Sequence, residues 1–505
     1  MKRKQNKAFV KIWILSATVV VVLSACGSVH SVKIAAPTEK ASLSEKSVNE
    51  DGIKDPVKDK NEESITKEST VSDQEENIKN SEKEKKKEKE KQQEKTLGAV
   101  TNNGGTVLKC GTSVYYWKYN SDSFEKNALF QNYQPTQNAE NELICENDDG
   151  AMEVLYKGNA KGELFIVGNR LYFLQNEFKD GKYAYSQELV YMEYHNGVWD
   201  KDTIHSVGKG KIETVDLQKN LLIFSGQPQT EQEGLYVIDN NTGKCTFITG
   251  NSSFVTYEDG IIYYQDHEIT GWSEEAIMGA VALCRSDLDG NTALVTKTES
   301  DLYEYKSGGA CVIECAQIVD DWIYFSYGHY DGSSVSFQGG NIVRVKKAGG
   351  QPELVATISC EKSDFYLFRE NGVDKLLYAK NYSQNTVLDL NSKSEQDVDQ
   401  PMGALGEAFP EYNSTTNETK YYYYGNPDGK VAELFSKSDY ASGDLEESVD
   451  FVDMECIDNM FYYRVDYGRH NAENDMGWRY SYDRIKTEVY RKNLTTGETV
   501  LMYSY

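Results

Sequence analysis

The stretch QIVDDWIYFSYGHYDGSSVSFQGGNIVRVKKAGGQPELVATI, residues 317–358, decides how the rest of the chain is read. It holds four short apolar runs, a to d: one ending at Ile318-Val319, then Trp322 to Phe325, Ile342 to Val345, and Leu354 to Ile358. β-Branched and aromatic residues dominate them, and each is too short for a helix, so all four read as strands. Asp320-Asp321 between a and b, and Ala348-Gly349-Gly350 between c and d, are tight-turn chemistry that makes two hairpins. The b–c connection, Ser326 to Gly340, is long and carries Tyr327, His329, Tyr330 and Phe337. One four-stranded sheet cannot cover both its faces, so the unit needs neighbours.

The unit recurs. Run b returns as Val114 to Trp117, Leu171 to Phe173, Leu222 to Phe224, Ile262 to Tyr264, Leu376 to Tyr378, Tyr421 to Tyr424 and Phe461 to Tyr463. Run c with its turn returns from Leu143, Leu189, Leu235, Leu283 and Val489, and in degenerate form around Leu388 and Leu434. A period of about 50 residues with four strands per unit predicts an all-β fold, a β-propeller of seven or eight four-stranded blades, with eight favoured. Pro401 and Pro410 interrupt the sixth and seventh units, where a central strand would not tolerate proline. A pair of β-sandwiches is the alternative architecture.

These runs resemble the propeller of the low-density-lipoprotein-receptor type, and more closely the related domains of low-GC Gram-positive bacterial lipoproteins. Ile323-Tyr324-Phe325 after an Asp turn, and Leu283-Cys284-Arg285 leading to Asp289-Gly290, carry the resemblance, which covers roughly residues 105–505. The Tyr-Trp-Thr-Asp signature of the animal receptors is absent, so their ligand roles do not transfer.

The chain divides into residues 1–25 as a signal peptide, 26–97 as a tether and 98–505 as the propeller domain. Lys2, Arg3, Lys4 and Lys7 precede an apolar run from Ile12 to Leu23, which is short for a membrane span. Leu23-Ser24-Ala25-Cys26-Gly27 then resembles the lipobox of bacterial lipoproteins, which implies diacylglycerol on Cys26 and attachment to the outer side of a cell membrane. Residues 27–97 contain no Phe, Tyr or Trp and end in a Glu/Lys run, a composition that cannot bury a core and suits a disordered or helical spacer.

Charge separates along the chain. Residues 1–97 hold 20 Lys and Arg against 17 Asp and Glu, and the remainder 34 against 63, a net of −29 for the domain. So acidic a surface excludes nucleic acid as a partner, which would require basic patches. No Gly-x-Ser-x-Gly elbow or phosphate-cradling loop is present, and His267-Glu268 lacks the second histidine of a zinc-protease helix. Asp287-x-Asp289-Gly290-Asn291 reads as a hairpin turn rather than a calcium loop, since the further ligands are missing. No cofactor and no metal are expected. Cys311 and Cys315 would lie roughly 13 Å apart on an extended strand, beyond disulfide range, and the strand cysteines read as buried thiols or disulfides.

In an up-and-down blade the a–b and c–d turns share one face; the b–c connections and the crossovers share the other. The long aromatic connections belong to the second face, and loops on a rigid scaffold are where binding concentrates. The expected contacts are Tyr183, Tyr185, His267, Trp272, Tyr327, His329, Tyr330, Tyr467, His470, Trp478, Tyr480 and Tyr482. The functional expectation is a monomeric, lipid-anchored, extracytoplasmic binding or sensing protein without catalytic activity, taking a protein, peptide or glycan on that face. A carbohydrate-active hydrolase or lyase using channel carboxylates, and a scaffold within an envelope assembly, are the alternatives.

Overall fold

A computed structural model describes residues 97–120, 124–126, 133–138, 140–229, 231–268, 281–298, 311–330, 337–360, 363–381, 384–398, 408–413, 415–423, 432–440, 449–470 and 482–505. The signal peptide, Cys26 and nearly all of the tether lie outside them. The described chain is built from antiparallel sheets in sequence order, and they make eight blades of a propeller. Every repeat of run b is the second strand of a blade, and every repeat of run c is the third.

The founding stretch lies in blade 5, whose strands are Cys311–Val319, Trp322–Tyr330, Phe337–Lys346 and Glu353–Ile358 in that spatial order. Strand b touches both neighbouring blades, which explains its composition. Phe325 and Ile323 pack with Tyr263 and Val281 of blade 4, while Tyr324 on the opposite face joins Phe365 and Leu377 of blade 6. A fully buried ring or branched chain contributes about 1.5 to 3 kcal/mol, so the alternating faces of each b strand supply a large share of the adhesion between blades. The a–b turns are tight because their first residue takes a left-handed backbone: Asp259, Asp320 and Asp458 sit at φ of 50°, 52° and 54°.

Three departures from the expected plan matter below. Strand His205–Asp216 is shared: its first part pairs with strand c of blade 2 and its second with strand b of blade 3, which fuses those blades into one sheet. Blade 7 shows three strands among the described residues, and Pro410 lies in its inner edge strand Ala408–Asn413, where the missing N–H interrupts no inner ladder. A short strand, Val100–Thr101, pairs with the inner strand Val107–Cys110 of blade 1 on its channel side. Of the eight cysteines in the domain seven are described, and none forms a disulfide. Burial pushes the Cys110 and Cys284 thiols up to about 11, as expected of packing residues rather than reactive ones.

Candidate functional site

Among the described residues, three of the long b–c connections continue as taller hairpins. In blade 2 the ladder runs on to Tyr183 opposite Phe178, in blade 5 to Tyr330 opposite Phe337, and in blade 8 to His470 opposite Tyr482. Apolar runs stop where these strands leave the inter-blade core, so composition alone reads the upper part as loop.

The predicted contact residues therefore separate into groups. Tyr183 and Tyr185 stand on the blade 2 hairpin with ring centroids 5.1 Å apart, and Tyr185 is 53% exposed. Tyr327 and Tyr467, expected on the outer face, are buried strand residues: one packs against Phe325 and the other lies in the core between blades 7 and 8. Their hydrophobic rings continue the alternating b-strand pattern by one more step, which is why they sit inside. His329, Tyr330, His470 and Tyr482 lie on described hairpin strands, but the placement of their side chains, together with Trp272, Trp478 and Tyr480 entirely, falls outside the described residues.

His267 is the one histidine of the set with a described site, and it is buried at the end of the blade 4 hairpin. Strands Ser252–Glu258 and Ile261–Asp266 pair so that Ser253 faces Gln265. Beyond the ladder the His267 amide donates to the Asn251 carbonyl at 3.1 Å, which holds the imidazole diagonally across from Ser253. The Ser253 Oγ and His267 Nε2 atoms are 2.9 Å apart. Ser253 is exposed while the imidazole behind it is buried. Burial lowers the His267 pKa below its ordinary value, against the opposing pull of the Asp266 carboxylate, so the ring is neutral at pH 7. A neutral imidazole bonded to an exposed hydroxyl is the arrangement of a base and its nucleophile. Both lie where strand a begins and strand b ends, on the face that carries the tall hairpins.

Ser253 was not foreseen. The signal was present in the register: Asp259-Gly260 marks the turn, and counting back across it brings Ser253 beside His267 once the bulge between Phe254 and Thr256 is included. The bulge is what flat alternation cannot supply.

The central channel holds carboxylates, as the enzyme alternative required, and one of them, Glu455, is committed to the fold. Glu455 on the inner strand Val449–Ile457 accepts from the Thr106 amide at 2.5 Å, the Thr106 hydroxyl at 2.8 Å and the Val107 amide at 3.3 Å, and also from Asn102. Glu163 on the inner strand of blade 2 is pushed up to about 7 by burial, with Lys211 opposing and Glu213 and Glu455 adding to the shift. Because this acid binds its proton more tightly when folded, its penalty is absent below about pH 4.5 and grows as pH rises towards 7. Glu163→Gln should accordingly raise stability at pH 8 by about 2 kcal/mol, roughly six-tenths of the full linkage value of about 3.4 kcal/mol because the residue is only half-buried, and change it little at pH 4. Guanidinium unfolding at both pH values checks this; an equal gap at each would show that burial of the charge is not the cause. The Asp287 loop is a turn as read: its carboxylate accepts the amides of Asp289 and Asn291 at 3.0 and 2.9 Å and the Asn291 side chain at 2.8 Å. Among the described residues, no group of three or more His, Cys, Asp or Glu side chains is gathered as metal ligands.

No family model matches the chain, and no curated protein matches it. Solved structures do. A prolyl endopeptidase, from a study titled for the role of inter-domain dynamics in catalysis and specificity, is 9% identical with a TM-score of 0.38 over 81% of this chain and 49% of its own. The β-propeller domain of the Trilobed protease from Pyrococcus furiosus, described as having an open velcro topology, is 12% identical with a TM-score of 0.36 over 81% of this chain and 96% of its own. The WD40 domain of SCAP from fission yeast is 11% identical with a TM-score of 0.33 over 68% and 86%. The chain thus spans about half the length of the prolyl endopeptidase it matches. At these identities the likeness is one of fold. The expectation of a non-catalytic binding protein is corrected with it: one of these similar structures is the propeller domain of a protease, and a fold together with missing motifs does not amount to absence of catalysis.

Proposed function

We propose that the protein is a serine hydrolase acting on an ester or amide bond, with Ser253 as nucleophile and His267 as general base, held by Cys26 on the outer side of the cell membrane. The observation that carries this reading is the 2.9 Å contact between the exposed Ser253 hydroxyl and the buried His267 imidazole. In the tautomer with Nε2 unprotonated, the serine donates to it. Attack on an acyl carbonyl transfers that proton to Nε2, and the imidazolium returns it to the leaving alkoxide or amine. Water then releases the acyl group by the same exchange. The Asp266 carboxylate favours the imidazolium electrostatically, as its effect on the His267 pKa indicates. The acidic domain, at a net charge of −29, favours substrates that are neutral or cationic.

The entry of the chain supports an outward orientation. The Gly111 amide donates to the Ala99 carbonyl at 2.8 Å and the Cys110 thiol to the Gly98 carbonyl at 3.3 Å, so the chain reaches the ring beside a blade 1 a–b turn. That is the short-turn face. Ser253 and the tall hairpins occupy the other.

A fluorophosphonate probe that cannot cross membranes tests the proposal on intact cells. Labelling should map to Ser253 and vanish in Ser253→Ala, whose thermal unfolding stays within a degree or two of the unaltered protein. Labelling confined to lysed cells would remove the outward placement, and a protein unlabelled in either preparation would remove the hydrolase.

A further inference from the structure

The segment between the tether and the first blade occupies the central channel. Strand Val100–Thr101 pairs along the channel edge of blade 1. The chain then crosses to blade 2: the Gly104 amide donates to the Leu164 carbonyl at 2.8 Å, and the Leu164 amide to the Gly105 carbonyl at 2.8 Å. Asn103 copies the same pattern with its side chain, donating to the Ile166 carbonyl at 2.9 Å and accepting the Ile166 amide at 2.7 Å. Gly104 has φ of 104°, and a Cβ there would lie 2.8 Å from the Phe165 ring, so the crossing requires glycine. From the far side Glu455 of blade 8 grips Asn102, Thr106 and Val107. Residues 100–107 thus join blades 8, 1 and 2 by main-chain and carboxylate bonds.

The place they join is the seam between the first and last blades, which is lightly secured. Among the described residues blade 1 takes its strands from residues 100–158 and blade 8 from residues 449–504, and neither end of the described chain completes the other's sheet. Apart from the Glu455 grip, what crosses the seam is side-chain contact: Lys109 to Asp458 at 2.5 Å, Arg491 to Glu146 at 2.9 Å, and the Tyr503 hydroxyl to the Trp117 carbonyl at 2.5 Å. The buried apolar cluster at the seam has five members, against 14 between blades 5 and 6. A cavity of about 30 Å³ lies there too, lined by Val107, Tyr116, Trp117, Tyr462, Arg464 and Tyr503 among others.

We infer that residues 98–105 are a strap that locks the ring at the seam between its first and last blades, and that displacing the strap opens the ring there. Because the strap continues directly into the tether, tension on the tether or proteolysis beside it bears first on the lock. The strap's ladder with blade 1 is only the two residues Val100 and Thr101, so it gives way before any blade sheet.

Hydrogen exchange on the full-length chain tests this. Asn103→Ala combined with Gly104→Val should speed exchange at least tenfold in Val107–Cys110, Leu164, Ile166 and Val449–Ile457, and leave Ile261–Asp266 and Trp322 to Phe325 unchanged. Acceleration spread evenly over all blades, or none, overturns the inference. Should that variant fail to fold, the unaltered chain in rising sub-denaturing guanidinium decides. The strap and seam amides must lose protection together and before those of blades 4 and 5. Loss in one common transition overturns it.

Discussion

Replacing Glu455 with alanine will cost about 3 to 5 kcal/mol of stability, the range for removing one partner of a buried, hydrogen-bonded charge. The reason is the number of groups left behind. Its carboxylate answers the Thr106 and Val107 amides and the Thr106 hydroxyl, at 2.5, 3.3 and 2.8 Å, and the Asn102 side chain as well. Val107 is buried and Asn102 and Thr106 are half-buried, so these donors can turn to water only in part when the carboxylate is gone. Gly105 is part of the same device, since a Cβ there would fall 2.1 Å from a Glu455 oxygen. Burial raises the Glu455 pKa while the four donors pull it down, so the folded ring tolerates protonation of this group better than the unfolded chain does. The sign follows: the penalty for its charge is felt at neutral pH and fades on acidification. Glu455→Gln should therefore cost less than the alanine change, because it keeps one acceptor oxygen and removes the buried charge while turning an amide towards donors. Guanidinium unfolding at pH 7 and pH 5 measures both. An alanine variant within 1 kcal/mol of the unaltered protein would mean that the grip on Thr106 is not closing the ring.

The architecture could be read from Gln317–Ile358 because propeller blades are local. Each hairpin is closed by turn residues adjacent in sequence, and Trp322 to Phe325 carry the burial pattern of a strand covered on both faces. The eight b-strand copies were all found for the same reason. What escaped was non-local or carried no apolar signal. The strap reads as linker, since Val100-Thr101 is minimal and Asn102 to Gly105 is turn-like, and its partners on blades 2 and 8 lie about 60 and 350 residues away. The shared strand His205–Asp216 serves two blades with one run, which a repeat counted by composition assigns to one of them. The working face was legible as a face but not as a site. Tyr327 and Tyr467 were assigned to it by position after the b run, yet their rings face the core, because the strand goes on beyond the recurring apolar length.

The second large effect belongs to the imidazole. His267→Gln should lower the turnover of an activated ester by roughly 10² to 10⁴-fold, the range for loss of a positioned general base, while KM moves little. Glutamine fills much the same volume and can still bond the Ser253 hydroxyl, but it cannot take a proton, so a loss of rate at constant fold isolates proton transfer from packing. The pH dependence gives an independent reading. Burial depresses the His267 pKa below 6.5, so the basic form already predominates at neutrality. The kcat/KM of the unaltered protein should therefore climb with pH along a limb centred below 6.5 and then level off. That limb should disappear in His267→Gln. A limb centred above 6.5 would mean that the titrating base is an exposed group and not this buried ring. Turnover that survives His267→Gln with its limb intact would separate the activity from the Ser253–His267 pair altogether. Asp266→Asn supplies the last discrimination: it removes the charge that favours the imidazolium, so the limb should move further down in pH and the plateau rate should fall, although neither Ser253 nor His267 has been altered.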